Sequence, residues 1–221
     1  MLQKIPCFCD NTFSVDIPEE IDLDKEPGRL DEILNGTFLN YTCSGCGKKH
    51  KPEFNIRILW PSKKVELDVF TELDRGEFYR RKKDASTNKK SRTGLERETI
   101  IGYPELADRL MVIRDNLEPA AIEAIKYFLH LKAEEQYPEE EMDIWYNGVT
   151  SESSKKSADR AIEFHIHGIR KDEVAVMRIP FSLYEKYHAD FKKNPKSEIF
   201  TALRVRTYLS VKNTMRPEVL K

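Results

Sequence analysis

The chain has 221 residues, 39% of them apolar and 34% charged, with 37 bases against 38 acids. That length supports one large domain or two small ones. A mean hydropathy of −0.61 and the lack of any long apolar run predict a soluble globular protein and exclude a membrane-spanning helix.

The first residues carry no apolar signal core, because Pro6, Cys7 and Asp10 interrupt them. The expected location is therefore cytoplasmic, where cysteines stay reduced. All four cysteines fall in the first 46 residues, as Cys7-Phe8-Cys9 and Cys43-Ser44-Gly45-Cys46. Two close pairs separated by a folded insertion present four thiolates to one tetrahedral ion. The expected cofactor is one structural Zn2+ per chain, with Cys7, Cys9, Cys43 and Cys46 as its ligands. The Cys43 pair is the conventional half. Gly45 and Gly47 favour backbone conformations that turn amide donors toward the sulfurs. The Cys7 pair has one intervening residue, which is tighter than the usual two to four. A redox dithiol and unliganded thiols are the competing readings, and His50 is near enough in sequence to replace a ligand.

The insertion holds a helix signal. Pro27 suits a first turn, Leu30, Ile33 and Leu34 form an apolar edge, and Gly36 ends it. Phe38, Tyr41, Phe54, Ile56, Ile58 and Trp60 are strand material. Val65, Leu67, Val69 and Leu73 form a returning strand after the turn at residues 61–64. The predicted result is a zinc-ribbon-like sheet extended by a hairpin.

These residues resemble the CpXC-domain proteins of bacteria and archaea. The resemblance rests on the two cysteine pairs, on Phe13, Val15, Ile21-Asp22 and Pro27-Gly28, and on the Leu34-Asn35-Gly36-Thr37-Phe38 approach to Cys43. It is clearest over residues 1–75. Members usually carry Cys-Pro-x-Cys pairs. Here Pro6 precedes Cys7 instead of following it, and Ser44 stands where proline is usual. The family is functionally uncharacterised, so the resemblance implies a fold and a cysteine grouping and no activity.

Residues 76–98 read as a basic exposed loop between a CpXC region (1–75) and a helical and antiparallel-sheet region (99–221) packed with it. From residue 75 to 92 there are eight bases against Glu77 and Asp84, whereas residues 10–34 hold nine acids against Lys25 and Arg29. Segregation of this kind steers a polyanion, or pairs opposed surfaces of the protein. Arg80, Arg81, Lys82, Lys83, Lys89, Lys90 and Arg92 are the candidate nucleic-acid contacts, with Phe78 and Tyr79 able to stack on bases or to close the preceding hairpin.

Pro104 and Pro119 open two predicted helices, with Leu106, Leu110 and Ile113 on one stripe and Ile122, Ile125, Phe128 and Leu129 on the other. Strands follow at Met142–Tyr146, around Ile162–Ile166 and around Val174–Ile179. A short helix capped by Ser182 comes next, then a last strand through Leu203, Val205, Thr207, Leu209 and Val211. The fold class is α+β, with a zinc-ribbon-like N-terminal sheet followed by two helices and an antiparallel sheet. His165 and His167 share a strand face near Glu163, which makes them candidates for a metal-dependent enzyme site, although no third ligand is evident. The sequence contains no phosphate-binding glycine loop, nucleophile elbow or dinucleotide fingerprint. The first expectation is thus a non-enzymatic zinc-binding structural or interaction protein. Its partner is an unknown protein or a second copy. The alternatives are a nucleic-acid-associated protein using residues 75–92 and an enzyme using His165 and His167.

Overall fold

The computed structural model describes residues 2–81, 94–137, 141–151 and 160–215. Two compact units are present, Met1–Ala107 and Asp108–Lys221, and the boundary falls within a single helix.

In the first unit β1 (Leu2–Pro6) and β2 (Thr12–Asp16) form an antiparallel hairpin, and β3 (Glu20–Asp22) follows. Helix α1 (Pro27–Leu34) starts on Pro27, whose fixed φ suits a first turn. It stops at Gly36, which takes φ +65 while the N–H groups of Thr37 and Phe38 close onto the Glu32 carbonyl. Next come the short hairpin β4 (Tyr41–Thr42) and β5 (Lys49–His50), then β6 (Ile56–Trp60) and β7 (Val65–Phe70). Strands β6 and β7 pair in register from Ile56↔Val69 to Trp60↔Val65, and Lys64 closes their turn at φ +58. Strand β3 runs parallel to β6, and β8 (Glu96–Ile101) runs parallel to β7. The two cysteine hairpins are therefore separate two-stranded ladders beside this larger sheet. One face of the larger sheet buries Ile56, Ile58, Leu67, Val69 and Ile100. The other is laced by charge. Arg57 faces Glu20, Glu66 and Asp68, and Arg97 also pairs with Asp68.

The exposed connection expected from residue 75 begins instead with α2 (Arg75–Arg80). Arg75 is buried, and its guanidinium binds Glu72 at 2.5 Å, Glu105 at 2.6 Å and the Ile101 carbonyl at 3.0 Å. Phe78 is buried as well. Six residues are too few to show a helical period in sequence, so a basic segment hides a packed turn of helix.

Helix α3 (Tyr103–Arg114) carries the chain into the second unit, and α4 (Pro119–Gln136) follows, N-capped by the Glu118 carboxylate on Ala120 N–H. The apolar core comprises residues of α4 such as Ile122, Ile125 and Leu129, together with Ile144, Phe164 and Ile166 of an antiparallel sheet. That sheet has the order β11-β10-β9, built from β9 (Asp143–Ser151), β10 (Arg160–His167) and β11 (Val174–Pro180). Helix α5 (Phe181–Lys193) then starts directly after Pro180, so Ser182 lies inside it and does not cap it. The long last strand expected from residue 203 is broken up. It becomes a hairpin of β12 (Arg204–Val205) and β13 (Tyr208–Leu209), with α6 (Glu198–Ala202) before it and α7 (Lys212–Met215) after it. Arg206 at φ +56 reverses the chain where alternation alone predicts continuation.

A charged network is buried in this unit. Lys126 Nζ lies 2.5 Å from Asp108 and 2.9 Å from Glu123, and Arg109 reaches Glu123 at 3.4 Å. The leftover lone pairs and protons are taken by the backbone. Tyr146 N–H donates to Asp108, Val211 N–H donates to Glu123, and Arg109 donates to the Leu209 carbonyl. Burial raises Asp108. It has the same tendency on Glu123, but Lys126 and Arg109 outweigh it and hold that carboxyl below its ordinary value.

Candidate metal centre

The two cysteine pairs occupy the turns of the β1–β2 and β4–β5 hairpins. In the longer turn, Cys43 N–H donates to the Lys48 carbonyl at 2.9 Å and Gly47 N–H to the Cys43 carbonyl at 2.9 Å. In the shorter turn, Cys7 N–H donates to the Asn11 carbonyl at 2.8 Å and Asp10 N–H to the Cys7 carbonyl at 3.0 Å. Each bond in the Cys7 turn spans one residue fewer. In both turns the residue after the second cysteine is left-handed, Gly47 at φ +71 and Asp10 at φ +62. The tight Cys7-Phe8-Cys9 spacing is thus a knuckle shortened by one residue with its closure kept. Asp tolerates the left-handed conformation better than most residues with a side chain.

The four sulfurs converge. All lie within 4.8 Å of one another, with Cys7 Sγ 3.6 Å from Cys46 Sγ and Cys9 Sγ 3.7 Å from Cys43 Sγ. An ion bound tetrahedrally by thiolates at ~2.3 Å sets its sulfurs ~3.8 Å apart, so the spacing fits such an ion. Cys7 and Cys43 are buried and Cys9 and Cys46 exposed, and all four are free thiols. Among the described residues this is the group of three or more His, Cys, Asp or Glu side chains able to hold a metal ion.

Donors surround the sulfurs. Cys43 Sγ accepts from Gly45 N–H at 3.4 Å and from Asn11 Nδ2 at 3.5 Å, and Asn11 also bonds Ser44 Oγ at 3.2 Å. A Cβ at Gly45 would meet Asn11 side-chain atoms at 3.1–3.3 Å, so Gly45 makes room for that amide. The Asn11 hydrogen bond, helped by the backbone of Cys46 and Gly45 and opposed by burial, brings the Cys43 thiol down to about 6. Cys7 differs. The Cys9 backbone lowers it, but burial and hydrogen bonding with the other three thiols outweigh that and push it up to about 12. His50 Nε2 lies 3.2 Å from Cys7 Sγ, with the imidazole against Phe13 at 5.5 Å and Phe8 at 6.4 Å between ring centroids. His50, near enough in sequence to replace a ligand, instead lies beside the cluster as a hydrogen-bond partner of Cys7. Asn11 gives no sequence signal beyond its place next to the Cys7 turn.

The remaining candidates do not join this site. Arg80 Nε donates to the Gly76 carbonyl and Arg81 pairs with Glu77 at 2.7 Å, both on the surface. Lys82, Lys83, Lys89, Lys90 and Arg92 lie outside the described residues. His165 and His167 share a face of β10 as expected, but their neighbours differ. His165 Nε2 is 3.5 Å from Glu163, opposite Trp145 and Val176, and His167 stands opposite Asp143 and Val174. Glu163 is already engaged by Arg178 at 2.8 Å and Asn147 at 2.7 Å, and Arg178 above all lowers its pKa.

No helix among the described residues is long and apolar enough to cross a membrane. The family model described as CpXC protein matches residues 5–126, further than the cysteine region alone. An "Uncharacterized protein" of Treponema pallidum (strain Nichols) is 28% identical over 220 residues, covering 96% of this chain and 98% of the relative. No solved structure matches. With more than half its length matched by that model, and with both cysteine pairs inside the match, the chain belongs to the CpXC protein family.

Proposed function

We propose that this chain is a non-enzymatic zinc-binding protein in which one Zn2+, held by Cys7, Cys9, Cys43 and Cys46, organises the N-terminal hairpins as a structural or interaction module. The convergence of four sulfurs within 4.8 Å carries the reading. Four soft thiolates favour zinc over the hard cations. Hairpins of five-residue and two-residue strands have too little apolar surface to hold themselves together, so the ion supplies that cohesion. A complete thiolate set leaves no coordination position for water, so the metal acts as scaffold and not as Lewis acid. The backbone and amide donors at Cys43 favour its thiolate, which is the form a metal takes up. Reduced thiols of this kind belong in a reducing compartment, and we assign the protein to the cytoplasm.

Metal analysis of protein purified without added metal tests the reading. The expected result is close to one zinc per chain, lost together when any of the four cysteines is replaced by Ser. Folded zinc-free protein carrying a disulfide between the two pairs would overturn it.

A further inference from the structure

Among the described residues, the sheet of the second unit ends on one side at β9 and on the other at β11. The two edges are built differently. Strand β9 is offset from β10 by a bulge at Glu163/Phe164 and carries Asp143, Asn147 and Gly148, features that discourage a further strand. Strand β11 has a run of four uncharged residues, Val174-Ala175-Val176-Met177, with regular pairing to β10 throughout. Val174 is 46% exposed, Val176 54% and Met177 38%. Side chains alternate along a strand, so the valines stand on one face and Met177 on the other. Both faces of β11 are thus exposed over residues 174–177, while Ile179 beyond them is buried in the core, and the outer backbone groups of the strand have no ladder among the described strands.

We propose that a second copy of this chain pairs antiparallel along β11, joining two three-stranded sheets into one of six strands across a twofold axis at Val176. A twofold axis perpendicular to a sheet sets same-face residues opposite each other, so the axis passes through a residue. Centred at Val176, it sets Val176 against its own copy, Ala175 against Met177 and Val174 against Arg178. The run is apolar against apolar except at Arg178, the one charge between 174 and 178. The two arginines then stand about 13 Å apart along the strands, too far to repel strongly. Each lies diagonally beside Asp172 in the β10–β11 turn of the other copy, an opposite charge. Arg178 is 64% exposed at its side chain, so it can face that acid while keeping Glu163. The occupant is a second copy because this register makes the strand complementary to itself.

Sedimentation equilibrium of the zinc-loaded full chain over a wide concentration range tests the assignment. The expected mass is twice 25.9 kDa, falling to the single-chain mass in Val176→Lys, with metal content and circular dichroism unchanged. A second variant reads the register. Opposed Cα atoms in an antiparallel pair stand ~4.5–5.5 Å apart, within disulfide reach. Val176→Cys should give a covalent dimer on mild oxidation, whereas Val174→Cys and the wild type should not. A single-chain mass for the wild type, or a dimer that survives Val176→Lys, would overturn the proposal. Neither result depends on the zinc reading, which the metal content reports separately.

Discussion

His50 Nε2 lies 3.2 Å from Cys7 Sγ, so the cysteine in the shorter turn takes a hydrogen-bond partner from the opposite hairpin. Cys43 takes its donors from Gly45 N–H in its own turn and from Asn11 across the site. The exchange is reciprocal, since each hairpin supplies a side chain to the first cysteine of the other. A metal-bound thiolate only accepts, so the loaded site requires the tautomer with the proton on Nε2. Removal of such a partner typically weakens metal binding by about 10–100-fold. His50→Ala should show that loss in competition with a chelator, and His50→Gln, which keeps a donor, should recover part of it. The sulfur-to-metal charge-transfer band of the cobalt-substituted protein should shift in His50→Ala. Equal affinity and unchanged spectra in all three proteins would show that the contact has no bearing on the thiolate.

The left-handed residue in each turn gives a second prediction. Gly47 at φ +71 and Asp10 at φ +62 occupy matching positions. A side chain in that region costs about 1–2 kcal/mol. Gly47→Ala should lower the thermal midpoint of the zinc-loaded protein and speed zinc loss. Asp10→Gly should do neither, because it removes a side chain from a strained backbone and a carboxylate from the neighbourhood of thiolates. If Asp10→Gly weakens the site more than Gly47→Ala, the two turns are not equivalent in the way their hydrogen bonds indicate.

Features encoded locally are legible in the sequence. Pro27 and Gly36 bracket α1, the alternation of Ile56 to Val69 gives the β6–β7 hairpin, and the cysteine spacing brings four sulfurs together. What is missed depends on partners far away in sequence. Arg75 looks like part of a basic surface until Glu72 and Glu105 meet it in the interior. Lys126 sits on the polar side of a helix read as amphipathic, but α4 is covered on that side as well, and the charge of Asp108 makes its burial tolerable. The alternation from Leu203 to Val211 is that of a strand. Arg206 folds it into a two-residue hairpin, a choice made by tertiary packing over local pattern. The side-chain partners of the sulfurs, Asn11 and His50, become visible only when the hairpins are placed together.

The network around Lys126 predicts a large and specific loss. Lys126→Met leaves Asp108 and Glu123 buried without the ammonium between them, which typically costs about 3–5 kcal/mol. Denaturant unfolding followed by circular dichroism should show that loss. Adding Asp108→Asn to Lys126→Met should restore part of it, since one of the two stranded charges is then gone. A loss under about 1 kcal/mol for Lys126→Met would mean that the carboxylates are neutral in the folded protein or reached by water.

His130 contributes to the acid side of the stability curve of the second unit. Burial above all holds it down at about 4 from an ordinary 6.5; the Lys126 charge acts in the same direction, Asp143 and Glu123 pull the other way, and Lys212 adds a smaller lowering. The folded chain therefore keeps the ring neutral where the unfolded chain would protonate it. Stability from this group is complete above 6.5, falls as the pH drops below that value, and is lost by about 4. The contribution is roughly 2 kcal/mol, less than the full shift because the ring keeps some contact with solvent. Acid also releases a thiolate-bound metal, so the informative quantity is the difference between wild type and His130→Gln, in which that effect cancels. Measured by denaturant unfolding, this difference should be level above neutral pH and should move against the wild type between pH 6.5 and about 4. A difference independent of pH over that window would mean that His130 protonates equally well in the folded protein.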